Sequence, residues 1–330
     1  MGDPAGIGPD ITLQAWQKRF EQDLPVFVVV GDADLFAARA ATLGLDVPIE
    51  RVECPKSATQ VFSRALPITH MALPGSVKPG DPDPLSVPII VASIERSVEL
   101  VQSGQADGLV TNPINKKLLY DAGLQYPGHT EFLGALAEAS GETAAPLMML
   151  VSAELRIVPA TIHIPLKDIP KMLTRAHLRQ TIETCASGLA RDFGIASPRI
   201  AVAGLNPHAG ESGSMGDEEI EIIGPAIAEA KGRNIDISGP YPADTLFSGH
   251  MRQRFDAMIA MYHDQALIPI KTLAFDTAVN VTLGLSFVRT SPDHGTAFEL
   301  AGSGAAKPSS LIAALKLARE ISRHRKAYAA

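Results

Sequence analysis

The sequence predicts an α/β fold, and three observations carry the prediction. Short apolar runs bounded by turn residues alternate with longer stretches of helical period, the pattern of a parallel sheet covered on both faces. A length of 330 residues suits one large or two medium domains. Gly (27) and Pro (25) supply many turns without reaching low complexity, so the connections link real elements.

Element by element, Pro25 to Gly31 (PVFVVVG) reads as a buried strand and Asp34 to Leu43 as its helix. The stretch from Leu66 to Pro88, crowded with Pro, Gly and Asp, reads as a loop ahead of a helix over Ser86 to Gln102. Strands follow at Asp107 to Thr111, LMMLV from Leu147, RIVPATI from Arg156, RIAVAGL from Arg199, AMIAMY from Ala257 and VNVTLGL from Val279. Helices are expected at Thr174 to Arg191, Gly216 to Ala230 and Pro308 to Arg323. The basic, amphipathic end of the chain reads as a solvated helix.

Composition removes whole classes of function. Lys and Arg number 29 against 36 Asp and Glu, a formal charge of −7, so the chain has no electrostatic reason to hold nucleic acid or anionic lipid. No apolar run reaches the roughly 18 residues of a membrane span, and the first residues lack a signal-peptide layout. Cys54 and Cys185 show neither CxxC nor Cys/His spacing. The expected compartment is therefore the reducing cytoplasm.

GxxxxGK[ST], HExxH and GxSxG are all absent, which argues against ATP-type P-loops and serine-hydrolase elbows. GDPAGIGPD, with Gly2, Gly6 and Gly8 ahead of a helix, either presents backbone N–H groups to an anion or is a tight turn. The stronger signal is in the histidines. His163 (ATIHIP), His208 (GLNPHAG) and His263 (AMYHDQ) each close an apolar strand candidate. Ligands collect outside the carboxyl ends of strands in open α/β sheets, so three such imidazoles can converge on one divalent ion. Taken singly, each reads as an ordinary strand-end residue. Asp264, next to His263, is a candidate to orient it.

A second set is suited to a phosphate or carboxylate. His129 and Thr130 open a helix-like stretch, Lys271 follows IPI, Asn280 lies on VNVTLG and Arg289 lies in SFVRTSPDHG. The alternative for each is a surface charge or a cap. Asp244 sits in a turn of apolar residues (PYPADTLF), where burial would raise a carboxyl pKa, although a hydrogen-bonded turn aspartate is the commoner case.

Laid in order, GDPAGIGPD, TNPINK, GHTEF, TIHIPL, GLNPHAGESGSMGDEE, PADTLF, MYHDQALIPIK and RTSPDHGTAFELAG resemble the blocks of the 4-hydroxythreonine-4-phosphate dehydrogenase family of pyridoxine biosynthesis over essentially the whole chain. That resemblance implies two α/β domains flanking a cleft, similar to isocitrate and isopropylmalate dehydrogenases. An outer domain of 1–127 plus 280–330 would carry the cofactor loop, and a central domain of 128–279 the metal ligands and dimer interface. It implies His163, His208 and His263 as ligands of one Zn, Mg or Co ion, and His129, Thr130, Lys271, Asn280 and Arg289 as substrate-binding residues. His294, Gly295 and Thr296 are then near NAD or NADP, Lys271 is the favoured base and Asp244 its reserve. The implied partner is a phosphorylated hydroxy amino acid, in a homodimer whose sites draw metal ligands from both subunits. Related enzymes take phosphorylated threonate or erythronate, and a metallo-phosphohydrolase is the reading from another class. Family members begin with a short strand before GDPAGIGP, so the native chain is expected to have one upstream.

Overall fold

The computed structural model describes residues 1–121, 123, 129–139, 141 and 145–329. By its internal contacts the chain forms two units, Met1–Ala144 with Leu285–Ser322, and Ala145–Gly284 with Arg323–Ala330.

The first unit opens with α1 (Gly8–Gln17), whose Pro9 occupies the first turn, where a missing N–H costs nothing. A small parallel sheet follows, made of β1 (Val29–Gly31), β2 (Ile49–Arg51) and β3 (Leu66–His70) in the order β1-β3-β2. Between them run α2 (Ala33–Leu43) and α3 (Pro55–Val61). Asp32 caps α2 by accepting from the N–H groups of Asp34 and Leu35, and Gly44 ends it at φ +63°.

Two expectations change here. The predicted strand from Pro25 shrinks to three residues, because its ladder with β3 begins at Val29 opposite Ile68. The predicted loop from Leu66 begins instead with the central strand. Pro67 hid it, since proline in a run argues against a central strand. The N–H groups of Leu66 and Val52 make the bonds on the β2 side, and the ladder to β1 starts only at Ile68, so Pro67 interrupts no bond.

The chain continues with α4 (Val87–Gln102), β4 (Leu109–Val110), α5 (Lys116–Asp121) and α6 (His129–Ala139). Phe132 and Leu133 of α6 pack with Ile90 and Ile94 of α4 and with Leu285 and Phe287. That shared core places α6 in the first unit, whereas the sequence reading starts the central domain at 128.

The second unit holds β5 (Leu147–Val151), β6 (Arg156–Pro159), α7 (Ile169–Met172), α8 (Arg175–Phe193) and β7 (Ile200–Ala203). A π-turn (Glu219–Ile223) leads into α9 (Gly224–Gly232), followed by β8 (Ile237–Tyr241), α10 (Ala243–Leu246) and α11 (Gly249–Arg252). The unit closes with β9 (Ala257–Ala260), α12 (His263–Ala274) and β10 (Val279–Leu283). Its strands run β10-β5-β6-β9-β7-β8. The sheet is mixed, not parallel throughout: β5 is antiparallel to both β6 and β10. Only Ser152 to Leu155 separate β5 from β6, and a connection that short can make a hairpin but not a parallel crossover. From β6 through β9 and β7 to β8 every pairing is parallel.

Back in the first unit, β11 (Arg289–Pro292) pairs in parallel with β4, and the part of α13 (Ser309–Ala329) up to Ser322 packs Leu311, Ile312 and Leu315 against Ile7, Ile11 and Ala15. Both β8 and β11 are strands that the sequence reading missed, their Gly-Pro and Ser-Pro pairs reading as turns. No helix among the described residues is long and apolar enough to cross a membrane.

One ion-pair knot lies within the second unit. Asp192, fully buried, accepts from Arg191 at 2.6 and 3.0 Å and from Arg325 at 2.7 and 2.9 Å. Burial pushes its carboxyl upward, but the hydrogen bonds and charge of the two guanidiniums outweigh this and hold it below the usual aspartate value. Its contribution is thus present above the unfolded pKa of about 3.9 and is lost as pH falls through the lower folded value. Asp192→Asn should lower stability at pH 7 by about 1–3 kcal/mol. In urea titrations the gap to the unaltered chain should narrow below pH 4; a gap that widens on acidification contradicts the assignment.

Candidate active site

Three adjacent parallel strands of the second unit, β6, β9 and β7, end toward the same side, and each leads into one of the predicted histidines. Neighbouring strands lie about 4.8 Å apart, so the spacing alone brings these exits together. His263 opens α12 directly after β9. His163 and His208 sit in tight turns in the left-handed region, at φ +49° and +51°, a backbone that non-glycine residues seldom adopt. His208 begins a run of five such residues through Ser212.

The rings of His163 and His263 lie with centroids 5.7 Å apart. His263 Nδ1 is 2.7 Å from Asp264 Oδ1, the contact expected of an orienting carboxylate. With the Nδ1 proton donated there, Nε2 keeps its lone pair for an ion. The donor chemistry therefore fits a divalent cation of the zinc or cobalt type. Within one chain, however, the three histidines do not all bring ring nitrogens within 4.8 Å of one another. Among the described residues the group that does is Asp32, Asp34 and His70. Its atoms are already engaged: Asp32 caps α2 and accepts from Leu73 N–H at 2.6 Å, His70 Nδ1 accepts from Ala33 N–H, and Asp34 pairs with Arg51.

The other predicted residues of this unit are more dispersed. Lys271 is two turns along α12 from His263, about 12 Å of helix rise, with its ammonium 5.7 Å from the Phe275 ring centre. Asn280 is on β10 opposite Leu150, and its buried Oδ1 has no hydrogen-bond partner among the described residues. Asp244 lies in the first turn of α10 but is exposed, which corrects the expectation of an apolar enclosure. The turn that holds it buries Leu246 instead.

In the first unit the GDPAGIGP turn and the predicted cofactor loop meet. Ile7 N–H donates to Thr296 O at 3.0 Å, and a Cβ on Gly6 would stand 3.0 Å from that same carbonyl, a tight approach that glycine accommodates. Arg39 of α2, nearly fully buried, donates to Pro4 O at 2.9 Å and Gly6 O at 3.0 Å and forms an ion pair with Asp10. The second oxygen of Asp10 accepts from Gly302 N–H at 2.7 Å. GDPAGIGP is thus a clamped turn, and Asp10 already supplies the negative charge at the start of α1.

On the loop, His294 Nδ1 is 3.1 Å from Gly295 O, its buried Nε2 has no hydrogen-bond partner among the described residues, and a Cβ on Gly295 would meet nothing within 4 Å. That ring nitrogen is a polar group with no partner among the described residues, of the kind a polar ligand such as a nucleotide cofactor would satisfy. Arg289, buried at the start of β11, donates to Thr111 Oγ1 at 2.8 Å. His129 and Thr130 open α6, and their side chains lie outside the described residues.

Comparison with known proteins agrees with this architecture. A 4-hydroxythreonine-4-phosphate dehydrogenase of Xanthobacter autotrophicus is 52% identical over 322 residues, covering 97% of this chain and 92% of that protein. The crystal structure of a protein of the same name from Burkholderia phymatum is 37% identical with TM-score 0.82, covering 97% and 96% of the two chains. A terephthalate 1,2-cis-dihydrodiol dehydrogenase from Burkholderia xenovorans is 27% identical with TM-score 0.63, again covering 97% and 96%. The chain is accordingly an α/β dehydrogenase. Residues 23–318 match the family described as "Pyridoxal phosphate biosynthetic protein PdxA". The chain belongs to that family.

Proposed function

We propose that the chain oxidises 4-phosphohydroxy-L-threonine at its C3 hydroxyl to 2-amino-3-oxo-4-phosphooxybutanoate, which then loses CO₂ to give 3-amino-2-oxopropyl phosphate. The observation that carries the reading is full-length identity of 52% with a relative bearing that activity's name, together with paired imidazoles at adjacent strand ends. When bound, NAD or NADP would supply the hydride acceptor, and a divalent Zn, Mg or Co ion would supply Lewis acidity for the oxidation and the decarboxylation.

The chain's own groups do the rest. His163, His208 and His263 hold the ion, with Asp264 fixing the His263 ring. Lys271 takes the hydroxyl proton, and Asp244 is the reserve base. His129, Thr130, Asn280 and Arg289 grip the substrate, and rigid hold on its phosphate orients the reacting carbon. His294, Gly295 and Thr296 bind the nucleotide.

The working form is a homodimer with metal ligands from both subunits. Within one chain α12 separates Lys271 from His263 by two turns, and the same helix exposes Ile268, with Phe275 exposed just past its end, an apolar surface suited to a second copy. Cys54 and Cys185 are both free, which suits a reducing, cytoplasmic setting.

The test follows NADH absorbance with 4-phosphohydroxy-L-threonine and 4-phosphothreonate in the presence of Zn²⁺, Mg²⁺ or Co²⁺. Growth of absorbance with the amino substrate is the expected result. Preference for the threonate replaces the substrate, and release of inorganic phosphate without NADH defeats the oxidation.

A further inference from the structure

The histidine-bearing turns are held by main-chain bonds that lead to a few buried polar side chains. Gln265, 8% exposed at the third position of α12, uses both ends of its amide. Its Oε1 accepts from Met261 N–H at 2.6 Å, just beyond β9 and two residues before His263. Its Nε2 donates to Gly204 O at 2.8 Å, just beyond β7 and four residues before His208. The Met261 carbonyl in turn accepts from Thr161 Oγ1 at 2.7 Å and from Thr161 N–H at 3.2 Å, two residues before His163.

The β7 side is fastened once more. Glu219, 5% exposed on the π-turn, accepts from Leu205 N–H at 2.7 Å and Asn206 N–H at 2.8 Å through one oxygen, and from Asn206 Nδ2 at 3.0 Å through the other. Directly after this anchor the chain enters its left-handed run at His208, a conformation costing about 1–2 kcal/mol per residue that must be held from outside.

We infer that Gln265 is a positioning residue for the ion site: its amide ties the β7 and β9 exits of one chain together, and with Thr161 and Glu219 it makes that chain's three histidine turns one hydrogen-bonded frame, which sets the ligands the chain contributes. The inference rests on the metal reading above. An amide is suited to this place because it alone among side chains of that length offers a donor and an acceptor at once. A glutamate would keep the bond to Met261 N–H and set a carboxylate against the Gly204 carbonyl. A methionine would fill the space and break both links.

The test uses the full-length protein and Co²⁺ alone as the probe, with affinity from calorimetric titration and ligand geometry from the cobalt visible spectrum. Gln265→Met should bind Co²⁺ about 10- to 100-fold more weakly, with an altered spectrum, while remaining cooperatively folded. Thr161→Val should weaken binding in the same direction and Thr161→Ser should restore it. If Gln265→Met does not fold, the Thr161 pair carries the comparison. Affinity within twofold of the unaltered protein and an unchanged spectrum in the folded variants would overturn the inference while leaving the metal site standing. Failure of the unaltered protein to bind Co²⁺ would overturn the metal reading and this inference together.

Discussion

Changing His263 to Ala should reduce kcat/KM for the phosphorylated hydroxy amino acid by at least about 10³-fold. Oxidising a secondary alcohol near neutral pH requires the hydroxyl to lose its proton as hydride leaves, and a Lewis acid on that oxygen is worth several kcal/mol. Each 1.36 kcal/mol is about a factor of ten in rate. Removing His263 takes away one of two imidazoles that the chain places 5.7 Å apart and leaves Asp264 with nothing to orient. Co²⁺ binding should fall with turnover, while the thermal midpoint without metal should barely move, because the ring is partly exposed and fills no core. Retained turnover after exhaustive chelation would refute the metal dependence. Retained turnover in the variant alone would refute this residue's part in it.

The second large effect concerns stability in the first unit. Arg39→Met removes a buried cation that satisfies Pro4 O, Gly6 O and the Asp10 carboxylate, and strands that carboxylate where it is completely enclosed. Removing one partner of a buried pair costs about 3–5 kcal/mol, because the remaining charge keeps its desolvation penalty. The denaturant midpoint of Arg39→Met should fall accordingly. Pairing it with Asp10→Leu should recover part of the loss, since no uncompensated charge then remains. An unshifted midpoint at unchanged slope would show that the clamp is not holding the turn. Lysine is no substitute, because one ammonium lacks the planar fork that reaches three oxygens.

Much of the architecture is legible in the sequence because buried strands advertise themselves. RIVPATI, RIAVAGL and AMIAMY are apolar runs that end in turn residues, and each leads to a histidine, so the imidazole-bearing strand ends can be read without a structure. What stays hidden depends on distant partners. Pro67 argues against a central strand until the ladder to β1 is seen to begin one residue later. The reversal of β5 depends on the four residues that follow it, a length that apolarity does not encode. Asp244 looks enclosed by its neighbours in sequence, yet the turn faces it outward.

The supports of the candidate site were harder still to see. Gln265 and Glu219 are polar residues within helical turns, which ordinarily mark a solvated face, and only the strand order reveals that they point inward at backbone groups. One signal was available for Gln265: a glutamine at the third helical position often reaches back to a main-chain N–H ahead of the helix. For Arg39 nothing local separates it from the other arginines on helices.

The order of strands also bears on how the protein is made. β9 is synthesised after both β6 and β7 but takes the place between them, and the contact that joins Thr161 to Met261 spans 100 residues. Until β9 is threaded into that gap, the earlier two histidines hang from strands with no common neighbour. Contacts of such long sequence separation form slowly, so an ion that needs all three imidazoles is expected to bind the completed sheet.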